Sequence, residues 1–404
     1  MKEYKPDMIR NIGIASHARA GKTSLTEALL YDAGAIEKLG RVDDGTTTSD
    51  CDDEEIQRKT SINSSLCICE WNGCKINLID TPGYSDFIGE LESSLRVVDT
   101  LLLIIDANMG IEAGTEKVWY RANDYNKPRI IFINKLDKEM AKFNETLESL
   151  ESFGSRIIPV SLPIGIGADF RGIIDLIRIK AFMKSDDGKK LQETEIPDDM
   201  QEQVEKCRIS LIDAVAETDD DLLEKYLDGQ ELTDEQIAAG LRKGISDRHF
   251  VPVLCGSAYN NLGPQLILDM ITSLPSPVDL QPIIGKKPES EDEVRFDADE
   301  NAPLCAFVFK TMTDPYAGRV NFFRIYSGTL KADSHLYNST KSRDERVGGI
   351  SLVHGKKITN VERIGAGDFG AVMKFSETST GDTLCDANSK IVLPPISFPR
   401  PVIS

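Results

Sequence analysis

The stretch SHARAGKT, residues 16–23, holds the residue types of a loop that binds nucleotide phosphates. Glycine lets the backbone approach an anion, Lys22 can reach the β and γ phosphates, and the Thr23 hydroxyl can ligate Mg²⁺. Ser16 stands where the usual pattern has its first glycine, and Arg19 lies in the middle. Taken alone, the motif leaves two interpretations, a nucleotide cradle or a polar turn that caps a helix.

A second motif, INLIDTPGYSDF, follows at the end of a predicted buried strand. The Asp80 carboxylate can hold a metal ion through water, and Gly83 can offer its N–H group to a γ-phosphate. An aspartate and a glycine at this spacing can also form an ordinary turn. The position of the motif after a predicted hairpin favours the metal and phosphate roles.

A third motif, NKLD, identifies the base. Asp137 can accept hydrogen bonds from both N1–H and the 2-amino group of guanine, whereas adenine offers neither donor. Leaving such a buried group unpaired costs on the order of 1–3 kcal/mol, or more when it is charged. Asn134 can hold the loop and the purine edge, and the Lys135 stem can cover one face of the ring. In CGSA, the backbone of residues 256–258 would face guanine O6. The predicted ligand is GTP or GDP.

The elements that must position these motifs alternate between strand and helix from residue 8 to about 160. The pattern predicts a buried strand in MIRNIGIAS, a helix from Lys22 to about Ala33, a hairpin at 64–80 and a helix after Gly83. TLLLIIDA and RIIFIN are continuous apolar runs beside helical segments. Such runs indicate a mostly parallel sheet that is covered on both faces.

Beyond residue 160 this rhythm breaks. A short strand-like piece at 172–182 and three polar helical patterns, ending near Lys243, precede a last buried strand and a helix that ends at prolines. After residue 302 the strands are short and turn signals are frequent, which favours a small β-barrel. The predicted organisation is a GTP-binding domain (1–285) with an insertion at about 158–250, an acidic linker (286–301), a β-barrel domain (302–395) and the start of a truncated third domain (396–404).

GAGDFGAV, residues 365–372, fits the glycine-loop patterns of kinases and of dinucleotide-binding folds. No catalytic His-Arg-Asp segment follows it, and no strand–helix–strand unit surrounds it. We interpret it as a turn in the strand-rich domain.

Composition bounds the remaining possibilities. The 404 residues include no apolar run long enough to cross a bilayer, and the N-terminus has no apolar signal segment, so we expect a cytoplasmic protein. The net charge of −19 argues against a surface that binds nucleic acid throughout. The acidic stretches 186–235 and 288–300 are interpreted as solvated surface or as a face for a basic partner. Cys67, Cys69 and Cys74 fall in the predicted hairpin, which favours strand thiols over a zinc site.

SHARAGKT, DTPGYSDF, NKLD and CGSA together resemble the motifs of the translational GTPases, and most closely those of elongation factor G, with a resemblance that covers the whole chain. The resemblance implies an α/β P-loop GTPase domain with a mostly parallel sheet and an inserted α+β subdomain, followed by an all-β barrel. It also implies GTP hydrolysis with Mg²⁺, and the ribosome, through its rRNA and proteins, as partner in tRNA and mRNA translocation or a related step. Neither DNA nor a membrane is expected, and the protein is taken as a monomer.

The resemblance assigns roles to residues of the four motifs. The expected GTP-binding residues are His17, Ala18, Arg19, Ala20, Gly21, Lys22, Thr23, Ser24, Asp80, Gly83, Asn134, Lys135, Asp137, Ser257 and Ala258. The expected metal ligands are Thr23, Ser61 and Asp80. The expected catalytic residues are Tyr84, Gly83, Lys22 and Arg19.

Three positions depart from the family pattern. Arg19 replaces an aspartate that relatives associate with a monovalent cation, so its guanidinium either supplies that charge or points to solvent. Ser61 takes the place of the first switch threonine, with Thr60 as a shifted alternative. Tyr84 replaces the histidine that orients the attacking water, and a tyrosine with a pKa near 10 is a poor base at neutral pH.

Three functions from different classes therefore stay open at this point. The first is a ribosome-activated GTPase, and the second is a GTP-dependent ribosome-binding switch with negligible hydrolysis. The third is a phosphotransferase or ATPase, which the NKLD motif argues against. Ribosomal-protection and peptide-release GTPases share the same two-domain layout.

Overall fold

A computed structural model describes residues 2–184, 191–288, 290, 292–314 and 318–399. Most of the predicted third-domain start, residues 400–404, lies outside the described residues, as do small parts of both acidic stretches. The strands up to residue 255 are β1 (Ile9–Ser16), β2 (Ser65–Trp71), β3 (Cys74–Asp80), β4 (Thr100–Asp106), β5 (Arg129–Asn134), β6 (Ile157–Pro159), β7 (Ser161–Ile164), β8 (Gly172–Asp175), β9 (Lys180–Lys184), β10 (Leu191–Thr194) and β11 (Val251–Cys255).

Helices separate many of these strands. They are α1 (Lys22–Asp32), α2 (Asp53–Arg58), α3 (Ile88–Val97), α4 (Ala113–Asp124), α5 (Phe143–Ser149), α6 (Gln201–Ala216), α7 (Asp220–Leu227), α8 (Asp234–Ser246) and α9 (Pro264–Ser273). The predicted helix after the phosphate loop, the hairpin and the three helical patterns of the insertion are confirmed.

Within the described residues, seven strands form the main sheet in the order β2-β3-β1-β4-β5-β11-β6. All neighbouring pairs are parallel except β2 with β3. Every residue of β4 is buried, because its apolar run contacts helices or neighbouring strands on both faces. The strand order reverses beside β1, and ligands of such sheets bind at the carboxyl ends of strands near that point.

The insertion carries its own antiparallel sheet, in the order β10-β9-β8-β7. Helices α6 and α8 pack on each other beside it. Strand β6 pairs with β11 in the main sheet, so the departure from the parallel sheet begins at β7.

The remainder of the described chain is antiparallel and all-β. Its strands are β12 (Ile283–Lys286), β13 (Glu293–Phe296), β14 (Cys305–Asp314), β15 (Gly318–Ser327), β16 (Thr329–Lys331), β17 (His335–Asn338), β18 (Arg343–Arg346), β19 (Ile350–His354), β20 (Lys357–Val361), β21 (Arg363–Gly365), β22 (Phe369–Met373) and β23 (Thr383–Cys385). Strand β13 lies inside the stretch that was predicted to be a linker, 286–301, and it pairs with β12, which ends at the first residue of that stretch. The large sheet of this region has the order β18-β17-β23-β14-β15-β22-β19-β20.

The glycine-rich stretch 365–372 joins β21 to β22, as the turn interpretation predicts. Gly367 has a φ of +86°, which favours glycine. Its carbonyl accepts a hydrogen bond from the Asn11 side chain at 2.7 Å, so this turn contacts the first strand of the α/β region.

The α/β region and the all-β region pack tightly on each other. Leu66 and Val97 of the first share one buried apolar cluster with Phe307, Phe309 and Phe369 of the second. Cations of one region also meet carboxylates of the other, in the pairs Arg324–Asp99 (2.5 Å), Lys75–Asp368 (2.6 Å) and Lys310–Glu90 (2.7 Å). The three cationic side chains are buried, so the two regions are joined by ion pairs as well as by apolar packing.

Candidate functional site

The sheet brings the four predicted motifs to one edge. The loops that follow β1, β3, β5 and β11 all lie at the carboxyl ends of parallel strands. Parallel strands expose their carboxyl ends at the same edge, which explains how segments more than 200 residues apart meet there.

The phosphate loop is shaped by its last glycine. Gly21 has a φ of +102° and begins α1, whose first residue is Lys22. A side chain at position 21 would place its Cβ 2.4 Å from the amide nitrogen of Asn134. The Lys22 Nζ atom donates to the Ser16 hydroxyl and to the carbonyl of His17, both at 3.1 Å. The lysine thus spans its own loop, where an anion would sit against it and the helix N-terminus.

Gly83 lies directly against this loop. A Cβ at position 83 would approach the Lys22 Nζ atom to 2.4 Å and the Ala18 Cα atom to 2.7 Å. No side chain fits between the two loops, so glycine is required for this close approach. The Asp80 motif and the phosphate loop therefore form one wall.

Oxygen atoms gather on the metal side of the loop. The hydroxyls of Thr23 and Ser61 are 3.1 Å apart, and the Ser49 hydroxyl donates to the Asp80 carboxylate at 2.9 Å. The second Asp80 oxygen, Oδ1, is buried without a hydrogen-bond partner. Hydroxyls and carboxylates are ligands that Mg²⁺ prefers, so these residues fit a magnesium ion. Ser61, favoured over Thr60 from the sequence, is the hydroxyl that contacts Thr23.

Two residues of this cluster were not foreseen. Ser49 and Asp50 lie in the segment before α2, and their side chains are buried among Lys22, Thr23 and Asp80. Neither belongs to a motif with fixed spacing. An SD pair that precedes an acidic helix resembles an ordinary cap in sequence, so the signal was weak.

The charges in this cluster perturb one another. Burial lowers the pKa of Lys22, while the Asp80 and Asp50 carboxylates oppose that change. Burial raises the pKa of Asp80, and the neighbouring Asp50 carboxylate raises it further. Two buried carboxylates that share one ammonium group favour an additional cation.

The base-recognition residues are held in a bonded network. The Asn134 side chain donates to the carbonyl of Ala20 and accepts from the N–H of Ala258, both at 2.9 Å. The Ser257 hydroxyl donates to one oxygen of Asp137 at 2.6 Å. One amide therefore ties the phosphate loop to the loop after β11, and the Asp137 carboxylate is oriented by its neighbour.

Lys135 has a further partner that the sequence did not predict. Its Nζ atom donates to the carbonyl of Arg19 and to Asp106, both at 2.7 Å, and its backbone φ is +66°. Asp106 ends β4, one strand away from Asn134. Asp106 belongs to none of the recognised motifs, so the sequence does not indicate that it pairs with Lys135.

Four of the predicted residues have no described side-chain hydrogen bond to this network. The Arg19 side chain is exposed and makes no hydrogen bond or ion pair with the described residues. Tyr84 is 37% exposed and likewise has no described side-chain partner. The His17 ring packs beside α4, with its Nε2 atom 3.4 Å from Glu112. Ser24 is half-buried in the first turn of α1. The catalytic roles of Arg19 and Tyr84 stay predictions.

Comparison with known proteins fits this arrangement. Residues 7–276 match the family of the elongation factor Tu GTP binding domain, and residues 303–387 match elongation factor G domain 2. The chain belongs to the translational GTPases of the elongation factor G type. Membership in these GTPases implies guanine nucleotide binding and GTP hydrolysis in general.

This elongation factor G-type chain is also similar to a protein of Thermus thermophilus known from a crystal structure. The two share 32% sequence identity with a TM-score of 0.84, over 98% of this chain and 56% of the Thermus chain. The chain thus spans about half the length of that relative. The match supports the α/β GTPase domain and the all-β domain that the motifs predict.

The structure also bears on the cysteines, on other metal sites and on membrane-spanning helices of this translational GTPase. Cys67, Cys69 and Cys74 are buried, free thiols in β2 and β3, as the strand interpretation predicts. Over the described ranges, no three His, Cys, Asp or Glu side chains are grouped to hold a metal ion. The expected magnesium ligands Thr23, Ser61 and Asp80 do not form such a group, because Thr23 and Ser61 are hydroxyl side chains. In the same part of the chain, no helix is both long and apolar enough to cross a membrane.

Proposed function

We propose that this protein binds and hydrolyses GTP as an elongation factor G-like translation factor on the ribosome. The observation that carries the proposal is the position of Asn134, whose amide bonds to both the phosphate loop and the loop after β11. This arrangement joins base recognition to phosphate binding. The proposed step is movement of tRNA and mRNA or a related step, which rests on the family resemblance.

Guanine is selected by Asp137 and the backbone beside it. One carboxylate oxygen accepts from Ser257, and the other, which lies 3.4 Å from the exposed Lys138 ammonium group, can accept from N1–H and the 2-amino group of the base. The N–H groups near Ala258 would face O6, and the Lys135 stem would cover the ring. Adenine would leave the buried carboxylate unpaired, which argues against an ATPase.

The phosphates are proposed to lie along residues 17–24, with Lys22 on the β and γ phosphates and Gly83 offering its N–H to the γ-phosphate. Thr23, Ser61 and Asp80 would hold Mg²⁺, with Asp50 and Ser49 behind them. Bound magnesium would neutralise phosphate charge that develops during transfer. The residues themselves orient the nucleotide and exclude bulk water, because Lys22, Thr23 and Asp80 are buried.

Tyr84 is proposed to position the attacking water through its hydroxyl. It lies one residue beyond Gly83, and its partial exposure leaves the ring free to turn toward the phosphate side. A tyrosine hydroxyl can orient water without taking its proton. The trigger that brings it into place would be the ribosome.

GTP turnover by the full chain, with and without ribosomes, tests this proposal in wild type, Tyr84→Phe and Tyr84→His. Intrinsic turnover near 10⁻⁴ s⁻¹ is the order of magnitude for such GTPases, and an activator can add about five decades. We expect strong ribosome stimulation in wild type that collapses in Tyr84→Phe. Absence of GTP binding in wild type would refute the proposed function.

A second candidate is a GTP-dependent ribosome-binding switch with negligible hydrolysis. The observation that favours it is the lack of a described partner for the Tyr84 side chain. Wild type would then bind GTP and ribosomes but show no stimulated turnover. Activity that emerges only in Tyr84→His would support this switch over the enzyme.

A further inference from the structure

Arg41 joins the segment after α1 to the loop that recognises the base. Its guanidinium donates to the carbonyl of Tyr259 at 2.9 Å and lies 4.0 Å from the centre of the Tyr259 ring. Tyr259 directly follows Ala258, the residue bonded to Asn134. Arg41 therefore contacts the base-recognition loop from outside, through a hydrogen bond and a cation–π contact.

Arg41 also organises its own segment. Its carbonyl accepts from the N–H groups of Asp44 and Thr46, and its N–H donates to the Thr46 hydroxyl at 2.9 Å. The turn formed by residues 41–46 is thus built around Arg41.

The far end of the same segment reaches the metal side. The Thr48 N–H donates to Glu27 at 2.5 Å, and the Ser49 hydroxyl donates to Asp80. We call residues 41–50 the strap, because they run from the base-recognition loop to the metal cluster. Its two ends are fixed by Arg41 and by Ser49.

A cavity of about 1020 Å³ lies beside the Arg41–Tyr259 contact. Its lining includes Tyr31, Lys38 and Arg41 on the chain near α1, and Tyr259 and Asn261 on the chain after β11. The Asn261 side chain bonds to Asp32 at 2.7 Å, which fixes the loop at the end of α1. Arg41 is the residue of the strap that lines this cavity, and its contact with Tyr259 lies beside it.

We propose that Arg41 is a positioning residue that slows the release of a guanine nucleoside diphosphate. Release requires the base-recognition loop to move away from the strap, and the Arg41–Tyr259 contact must break first. This inference rests on the proposed function, since it assumes that guanine nucleotide is the ligand. Losing one charged hydrogen bond and one cation–π contact should speed release by about tenfold or more.

Dissociation of tritium-labelled GDP, chased with unlabelled GDP, tests the proposal in the full chain. Arg41→Ala should release GDP about tenfold faster than wild type. Arg41→Lys should be intermediate, because an ammonium group keeps the charge but lacks the planar fork. Tyr259→Leu removes the ring that contacts Arg41 at 4.0 Å and Lys138 at 5.4 Å. Most of its smaller increase should be absent when Arg41→Ala is already present, because the nearer contact is the one with Arg41.

Lys38→Ala is the matched control. Lys38 lines the same cavity and carries the same charge, yet it makes no hydrogen bond or ion pair with the described residues. Its GDP release should equal that of wild type. The melting temperatures of all variants are also measured, because faster GDP release from a partly unfolded variant would be accompanied by a lower melting temperature.

The outcomes distinguish a failure of the Arg41 role from a failure of the proposed function. GDP release at the wild-type rate in Arg41→Ala, from a wild type that binds GDP, overturns this inference and leaves the proposed function intact. Failure of wild type to bind GDP overturns the proposed function itself. Equal acceleration in Lys38→Ala would attribute the effect to charge alone and would also overturn the positioning role.

Discussion

Asn134 and Asp137 have different roles in the proposed recognition of the base. The Asn134 amide uses its donor and its acceptor on protein groups, so it holds the loops in place. The Asp137 carboxylate gives Oδ1 to Ser257, and its Oδ2 atom, which lies 3.4 Å from the Lys138 ammonium group, is proposed to face the base. Selection of guanine would therefore depend on this second oxygen.

Replacing Asp137 by asparagine tests that dependence. Asp137→Asn can turn this second acceptor into a donor, which would then face the N1–H and 2-amino donors of guanine. We expect GDP affinity to fall about 10- to 100-fold, because a buried unpaired group costs about 1–3 kcal/mol. Xanthosine diphosphate, which carries an acceptor at position 2, should bind better than it does to wild type. Calorimetric titration with both nucleotides measures the change.

The exposed Asp124 provides the control. Asp124→Asn removes the same charge on α4 and should leave both affinities unchanged. Equal affinity of the Asp137→Asn protein for the two nucleotides, at the wild-type level for GDP, would contradict the assignment of the base contact.

At this scale the sequence predicted the residues that recur at fixed spacing. Lys22, Thr23, Asp80, Asn134 and Asp137 belong to motifs whose chemistry requires those types in that order. Asp50 and Asp106 could not be predicted, because their roles depend on which strand ends lie side by side. That proximity is a property of the folded sheet.

At the scale of elements, helix α1 shows how one helix serves two purposes. Gly21 directly precedes α1, and Gly34 lies two residues after its last residue, Asp32. Both glycines have left-handed backbone conformations, with φ of +102° at Gly21 and +69° at Gly34. A Cβ at position 21 would collide with Asn134, whereas a Cβ at position 34 would meet nothing within 4 Å. The two glycines thus share the backbone requirement but differ in their surroundings.

Gly21→Ala and Gly34→Ala form a matched pair. Alanine in the left-handed region costs about 1–2 kcal/mol at either position, so both variants should melt at lower temperature. Gly21→Ala should also lose GDP binding, because its Cβ displaces the Asn134 amide. Thermal melting and GDP titration of both proteins separate strain from collision. Normal GDP affinity in Gly21→Ala would show that the loop tolerates the displacement.

Among the elements, the strands with continuous apolar runs were predicted best. Strands β1, β4, β5 and β11 need apolar residues on both faces, and no helix of that length fits the pattern. The hairpin of β12 and β13 was missed, because its acidic composition resembles a solvated linker. The last residue of β12, Lys286, also forms a bridge with Val392, more than a hundred positions later in the chain.

At the scale of the whole molecule, the two regions meet where the nucleotide is expected to act. Lys310 of β14 donates to Glu90 of α3 at 2.7 Å and to the carbonyl of Ser64 at 2.9 Å. Ser64 follows the Ser61 segment, and α3 follows Gly83. A single buried ammonium group therefore contacts both segments that flank the phosphates.

Lys310→Met should destabilise the protein strongly. The substitution removes the ammonium partner of Glu90, which keeps its hydrogen bonds from Ser64, and losing a hydrogen bond to a charged group costs about 1.5–3 kcal/mol. Lys142→Ala, which breaks an exposed pair with Glu145, should cost less than about 1 kcal/mol. Thermal and denaturant unfolding compare the two. A cost for Lys310→Met no larger than that of the control would show that the interface does not depend on this contact.

His354 gives the interface a dependence on pH. Its Nδ1 atom accepts the N–H of Ile68 at 3.0 Å, and burial lowers the pKa of His354. Below pH 6.5 the unfolded chain binds a proton that the folded state does not, so stability falls as pH decreases through that value. Lys357 nearby also lowers the pKa.

The corresponding prediction compares melting temperatures at about pH 7.5 and about pH 5.5, on either side of the ordinary histidine pKa. Wild type should lose more stability on acidification than His354→Gln, which has no group that titrates in this range. The exposed His249 is the control, and His249→Gln should behave as wild type. Identical losses in wild type and His354→Gln would exclude a role for this histidine in the pH response.

The Asn134 amide has one more consequence, which concerns the order in which a ribosome makes this chain. Its first partner, Ala20, is synthesised 114 residues before it, and its second, Ala258, 124 residues after it. The phosphate loop and the Asp80 motif thus leave the exit tunnel long before the base-recognition loop exists. Only when the whole insertion and β11 have emerged can the nascent chain close its grip on guanine. The base-recognition loop is therefore among the last parts of the α/β region to be synthesised, with α9 still to follow.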